Sequence, residues 1–150
     1  MAGTIEVRVE QAFKASPERV FDAWLDPDLA ARWQGAALEQ LGLSGDVRRV
    51  EIDARVGGKF TFSDMREEGE AVHWGTYLEI DRPRKLVFTW FTTDEDEKEN
   101  VSVVTLTIRP EGTGCIATIV HTISDKYGDY IPQTEEGWGA LLAQIGEAIG

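Results

Sequence analysis

The chain has a single cysteine, Cys115, so it can form neither an internal disulfide nor a zinc site built from several thiolates. It has only two histidines, His73 and His121, 48 residues apart, and no HxH or HExxH spacing, so no metal site is read. Nucleotide signatures are missing: neither GxGxxG nor GxxxxGK[ST] occurs, and no cofactor is expected. GxSxG is absent as well, and Cys115 sits mid-strand without an identifiable base, so no nucleophile and no catalytic residue is assigned. Positive charge is scarce, with 15 Lys and Arg against 27 Asp and Glu and a net charge of −12. That balance excludes sequence-independent binding to nucleic acid or anionic lipid, which needs a cationic face. No run of about 18 apolar residues and no basic-then-apolar leader is present, so membrane insertion is not expected and a reduced cytoplasm is.

What the chain does have is an ordinary globular composition, 42% hydrophobic and 28% charged, over a length that suits one domain spanning 1–150. No repeat or low-complexity tract divides it. Residues 3–13 alternate, with Ile5, Val7, Val9 and Phe13 on one face, and read as a half-buried strand. Ser16-Pro17 and Asp26-Pro27 then place a capping side chain before a proline twice in succession. This predicts two short helices rather than one broken helix, with apolar stripes Val20/Phe21/Trp24 and Leu29/Trp33. Helices this short need a larger surface against which to bury their indoles. Residues 34–46, with Gly35, Gly42 and Gly45, read as irregular.

From Val47 the chain is strand-rich, with candidates at 47–54, 58–64, 71–81, 85–92, 100–109 and 114–123 joined by hairpin-like turns. The acidic run 94–99 reads as a solvated hairpin loop. Residues 134–149 read as a helix capped by Thr134, with Trp138, Leu141, Leu142, Ile145 and Ile149 in one stripe. Gly137, Gly139 and Gly146 in that helix signal either close packing or a tolerated cost. The order predicts an α+β fold: a curved antiparallel sheet of six to seven strands around a long C-terminal helix, with two short helices after the first strand.

Four stretches resemble a known family. They are Ala15-Ser16-Pro17-Glu18-Arg19-Val20-Phe21-Asp22-Ala23-Trp24 with Leu29 and Trp33; Asp53-Ala54-Arg55-Val56-Gly57-Gly58-Lys59-Phe60; His73-Trp74-Gly75-Thr76-Tyr77-Leu78-Glu79-Ile80 running on to Arg82-Pro83-Arg84-Lys85-Leu86-Val87-Phe88-Thr89-Trp90; and Glu136-Gly137-Trp138 with Leu141 and Leu142. In that order they resemble the START-like (SRPBCC) superfamily, in the branch named for the C-terminal domain of the heat-shock-protein-90 ATPase activator. The resemblance implies a helix-grip fold with a cavity between sheet and C-terminal helix, and a small hydrophobic molecule as partner. Residues 34–46 depart from the branch, which keeps a tighter tryptophan-and-proline run at this border of the expected cavity mouth.

The residues expected at such a cavity are Trp33, Phe60, Phe62, Asp64, Trp74, Phe88, Trp90, His121, Trp138, Leu141 and Leu142. For each ring, core packing competes with ligand lining. Asp64 continues the Phe60/Phe62 face and His121 the Cys115/Ala117/Ile119 face, and a buried polar group must find a partner. For His121 a structural or rim role is favoured over ligand bonding or acid–base work. His73 and Trp74 alternate, so one faces in and the other out. Tyr127 and Tyr130 cover or gate the cavity. The leading expectation is a binding protein for an apolar or amphipathic ligand. The alternatives are a cavity enzyme of cyclase or hydrolase type using Asp64, His73 or His121, with Glu79 weaker, and a chaperone cofactor. The last is discounted because the sequence opens directly at its first strand. Pairing of edge strands leaves a homodimer open.

Overall fold

In the computed structural model, which describes residues 3–149, the alternating segments pair into one seven-stranded antiparallel sheet. The strands are β1 (Thr4–Phe13), β2 (Asp46–Ile52), β3 (Lys59–Arg66), β4 (Gly69–Asp81), β5 (Lys85–Thr89), β6 (Val103–Glu111) and β7 (Gly114–Ser124), in the spatial order β1-β7-β6-β5-β4-β3-β2. Strands β2 to β7 form a meander, and β1 returns to the far edge to pair with β7 from Thr4↔Ser124 to Phe13↔Cys115. The period-2 pattern sends one set of side chains inward: Val7 and Phe13, Phe60 and Phe62, Leu86 and Phe88, Val104, Leu106 and Ile108, and Cys115, Ala117 and Ile119 are all buried.

The two prolines after β1 mark helix starts as expected. Helix α1 (Pro17–Leu25) is capped by Ser16, whose hydroxyl accepts from the Arg19 N–H. Asp26 serves both helices: its N–H closes α1 on the Asp22 carbonyl, and its carboxylate accepts from Asp28 and Leu29 at the start of α2 (Pro27–Gln40). Pro27 has no N–H, so the Ala23 carbonyl lacks the donor that would come from four residues on. The Trp33 indole supplies it, donating to that carbonyl at 2.9 Å in the buried interior. Trp24 lies tilted against Trp33 with ring centroids 5.4 Å apart, and Trp138 lies 6.3 Å from Trp24.

Three expectations are corrected. Residues 34–46 are not irregular throughout: α2 runs on to Gln40, because Trp33, Gln34, Ala37, Leu38 and Leu41 make an inward helical stripe and Gly35 packs against Gly45 and Val47 instead of breaking the helix. The acidic run is a short helix, α3 (Asp94–Glu99), capped by Thr93 and ended by Asn100 in the left-handed region, and it is not merely solvated. Tyr127 donates to Asp96, Trp74 donates to Glu97 at 2.6 Å, and Lys126 pairs with Glu95 and Glu99. The C-terminal helix α4 (Ile131–Ile149) starts three residues before Thr134, directly after a 3-10 turn (Asp125–Tyr130). Thr134 therefore lies inside the helix, donating to the Tyr130 carbonyl, and caps nothing.

Gly75 has a clear structural reason. A Cβ there would stand 2.0 Å from the Thr89 carbonyl oxygen, so β4 and β5 can approach only where β4 has no side chain. Trp90, one residue beyond Thr89, lies against Trp138 with centroids 5.1 Å apart.

The Trp33 bond yields a direct test. Trp33→Phe keeps most of the buried ring but strips the Ala23 carbonyl of its donor, and is expected to cost about 1–3 kcal/mol of unfolding free energy. Trp33→Ala, which also opens a void, is expected to cost about 3–5 kcal/mol. Urea denaturation of both variants measures the difference.

Candidate functional site

Helix α4 packs along β1 and α2, so it covers the sheet unevenly. At the β1 end its Leu142, Ile145 and Ile149 meet aliphatic strand residues and the core closes. At the other end the partners are rings, and a cavity of about 360 Å3 remains between sheet, α2 and α4. Its apolar walls are Trp33, Ala37 and Leu38 from α2 with Leu41 at its C-terminal cap, Phe62 from β3, Trp90 just after β5, and Trp138 and Leu141 from α4. Gly137 also faces it, and a Cβ at that position would touch nothing within 4 Å.

Polar groups enter at three places. His121 on β7 is 5% exposed and held from both sides. The Trp138 indole Nε1 lies 3.1 Å from His121 Nδ1, and Ser102 Oγ lies 2.7 Å from Nε2. An indole N–H can only donate, so Nδ1 is the acceptor and the neutral ring carries its proton on Nε2. Nε2–H then donates to Ser102 Oγ, leaving the Ser102 hydroxyl proton free for another acceptor. Burial holds the His121 imidazole down at about 4, with the Asp96 carboxylate pulling weakly the other way.

The second polar place is Asp64 on β3, 1% exposed, whose carboxylate is gripped by Arg66 two residues along the strand: Nε to Oδ2 at 2.7 Å and Nη2 to Oδ1 at 3.3 Å. Beside this pair, His73 on β4 stacks on Trp90 with centroids 5.0 Å apart. Burial again drives its pKa down to about 4, Arg66 adds to the effect, and Asp64 opposes it. Both imidazoles are therefore neutral at pH 7. The third place is Gln34 on α2, 7% exposed on the cavity wall, whose side-chain oxygen has no hydrogen-bond partner among the described residues.

The mouth is rimmed by Thr92, by Asp96 and Glu99 of α3, and by Tyr127, Tyr130 and Thr134. Burial raises the Asp96 carboxyl, but hydrogen bonds from Thr92, Tyr127 and Thr93 outweigh this and hold it below the usual range.

Of the residues singled out from sequence, Trp33, Phe62, Asp64, Trp90, His121, Trp138 and Leu141 come together around the cavity. Phe60 and Phe88 sit one layer behind, around a crevice of about 10 Å3. Leu142 is fully buried in the aliphatic end of the core and does not reach the cavity. Trp74 is turned the other way: the strand's alternation puts His73 inward, while Trp74 faces Phe91 and Glu97. Glu79 is on the surface, 3.5 Å from Lys85. Sequence reasoning missed Gln34, Ala37, Leu38, Leu41, Arg66, Ser102 and Gly137. The α2 residues had a signal, since positions 33, 34, 37, 38 and 41 recur at helical spacing. Ser102 had none, because it lies in the connection just before β6 and its role depends on a histidine 19 residues away.

The Ser102–His121 contact has the wrong polarity for a serine nucleophile. A general base must offer its lone pair to the hydroxyl while an acceptor holds the other N–H. Here the lone pair is at Nδ1 and is occupied by Trp138. Among the described residues no group of three or more His, Cys, Asp or Glu is placed to hold a metal ion, and no helix is long and apolar enough to cross a membrane.

A sequence model of the family described as Activator of Hsp90 ATPase homolog 1-like protein matches residues 14–150. No curated protein matches the chain. The fold is similar to that of a Chromobacterium violaceum protein, 25% identical over 96% of both chains with a TM-score of 0.78. It is also similar to a Staphylococcus aureus protein of unknown function, 20% identical over 99% of this chain and 94% of that one with a TM-score of 0.80. An AHSA1-like protein from Aeromonas hydrophila is 23% identical over 97% of this chain and 92% of that one, with a TM-score of 0.74.

The two neutral histidines, His121 buried and His73 half-buried, give stability a defined pH dependence. Their folded pKa values of about 4 lie below the ordinary 6.5, so the unfolded chain takes up protons that the folded one refuses. This contribution is fully present above about pH 6.5 and is lost as pH falls toward 4. Between pH 7 and pH 5 each histidine is expected to remove about 2 kcal/mol. Urea denaturation at the two pH values measures the loss. His73→Phe, which keeps a ring against Trp90, is expected to remove about half of it.

Proposed function

We propose that this chain, which belongs to the Activator of Hsp90 ATPase homolog 1-like family, is a binding protein that holds a small apolar or amphipathic molecule between its sheet and its C-terminal helix. The observation that carries this reading is the cavity of about 360 Å3, because protein interiors are otherwise packed to crystal density. Its volume lies in the range of small-molecule sites, and its lining fits the same class: mostly aromatic and aliphatic walls with a few fixed polar groups. Gly137 supports it too. Glycine inside a helix costs about 1 kcal/mol relative to alanine, and here the missing side chain leaves room in the cavity. The polarity of the Ser102–His121–Trp138 chain favours holding a ligand over activating a nucleophile.

Native mass spectrometry of the purified protein, repeated after denaturation, tests the proposal. The expected result is an adduct of small-molecule mass that denaturation releases. Gly137→Leu, which projects a side chain into the cavity, is expected to abolish the adduct. Gly137→Ala is expected to raise unfolding free energy by about 1 kcal/mol while weakening the adduct only partly. An adduct unchanged in Gly137→Leu would place the ligand elsewhere and sink the proposal.

A further inference from the structure

The cavity is walled by rings, but the polar groups on its surface differ in what they still have to give. The Asp64 carboxylate and the Arg66 guanidinium are committed to each other. Glu99 at the mouth is paired with Lys126, and the Asp96 carboxylate accepts from Thr92 and Tyr127. Every ionised side chain on the lining thus has a partner, and the rim carries negative charge on a chain whose net charge is −12. An anion would enter against that field, and a cation would find no uncommitted carboxylate inside.

Of the neutral polar groups on the lining, which also include His73, Ser124 and Tyr130, two are singled out by their hydrogen-bonding state. Trp138 fixes the His121 tautomer and His121 donates to Ser102, so the Ser102 hydroxyl is a donor with its proton still to place. The Gln34 amide lies on the α2 wall, nine-tenths buried, with its oxygen unpartnered among the described residues. Leaving such a group unsatisfied is costly, so a ligand that meets it gains more than one that only fills space. The rings of Trp33, Trp90 and Trp138 line the same cavity.

Building on the ligand-binding reading, we infer that the cavity selects an uncharged, ring-containing molecule with an acceptor oxygen against the Ser102 hydroxyl and a second group that donates, a hydroxyl or N–H, against the Gln34 amide oxygen. Ser102 and Gln34 contact the ligand. His121 and Trp138 are positioning residues that set the direction of the Ser102 hydrogen bond.

Equilibrium dialysis of the full chain at pH 7 against four probes of one ring size tests this: naphthalene-2,6-diol, naphthalene, 2-naphthoate and 2-naphthylmethylammonium. The diol is expected to bind about tenfold more tightly than naphthalene, and more tightly than either ion. Ser102→Ala is expected to remove most of the diol's advantage while leaving naphthalene binding in place. Gln34→Leu, which does not touch the histidine, is expected to narrow the same advantage independently. Equal affinity for diol and naphthalene, an ion as the tightest probe, or an undiminished advantage in both variants overturns the inference but leaves ligand binding standing. If none of the four probes binds the unaltered protein, the inference and the binding reading fall together.

Discussion

One helix of 19 residues must cover the inner face of a sheet seven strands wide. The helix is roughly 10 Å across with its side chains, while strands repeat about every 4.8 Å. Full coverage is therefore geometrically impossible for α4 alone. The chain adds α2 alongside α4, and the two helices with the sheet leave a gap where large planar rings meet instead of branched aliphatics. Leu142, Ile145 and Ile149 are buried in the same core cluster as the small strand residues Cys115 and Ala117. Trp33, Phe62, Trp90 and Trp138 tilt against one another and do not collapse into the space between them.

The same shortage of cover explains the opening turn of the chain. Pro27 starts α2 sharply enough to fold it back beside α1, and in doing so removes the donor that the Ala23 carbonyl needs. Trp33 repays that hydrogen bond and places its ring on the cavity wall. A backbone requirement and a site requirement are thus met by one indole. Trp138 acts similarly on the other wall, where its N–H orders His121 and, through it, Ser102. The direction of that chain follows from the chemistry of indole, which has no lone pair to accept with.

Much of this was legible from residue order. Ser16-Pro17 and Asp26-Pro27 announced two helices, the alternating segments announced the strands, and the Trp138-to-Ile149 stripe announced the covering helix. The resemblance carried by the four motif stretches pointed to the family that residues 14–150 match. The failures were local and share a cause. Gly35 looked like a helix breaker because nothing in the sequence shows Gly45 and Val47 packing against it. The acidic run looked solvated because its partners, Trp74, Lys126 and Tyr127, come from distant segments. His73 and Trp74 alternate, and the pleat alone could not say which of them faces inward; the contacts that show it are His73 with Trp90 and Trp74 with Glu97.

The sequence by itself determined the type and order of the strands, of the two proline-led helices and of the C-terminal helix, and the absence of metal, nucleotide and nucleophile signatures, because those depend on periodicity, capping and short motifs within one segment. It also determined that Asp64 and His121 would be polar groups on apolar faces. Only the tertiary structure decided what those groups do: that Asp64 is held by Arg66, that His121 is neutral with its proton on Nε2, and that Ser102 and Gln34 share one cavity. Tautomer, ion pairing and cavity volume are set by atoms brought within about 3 Å of one another from remote parts of the chain, and residue spacing along one segment carries no record of those distances.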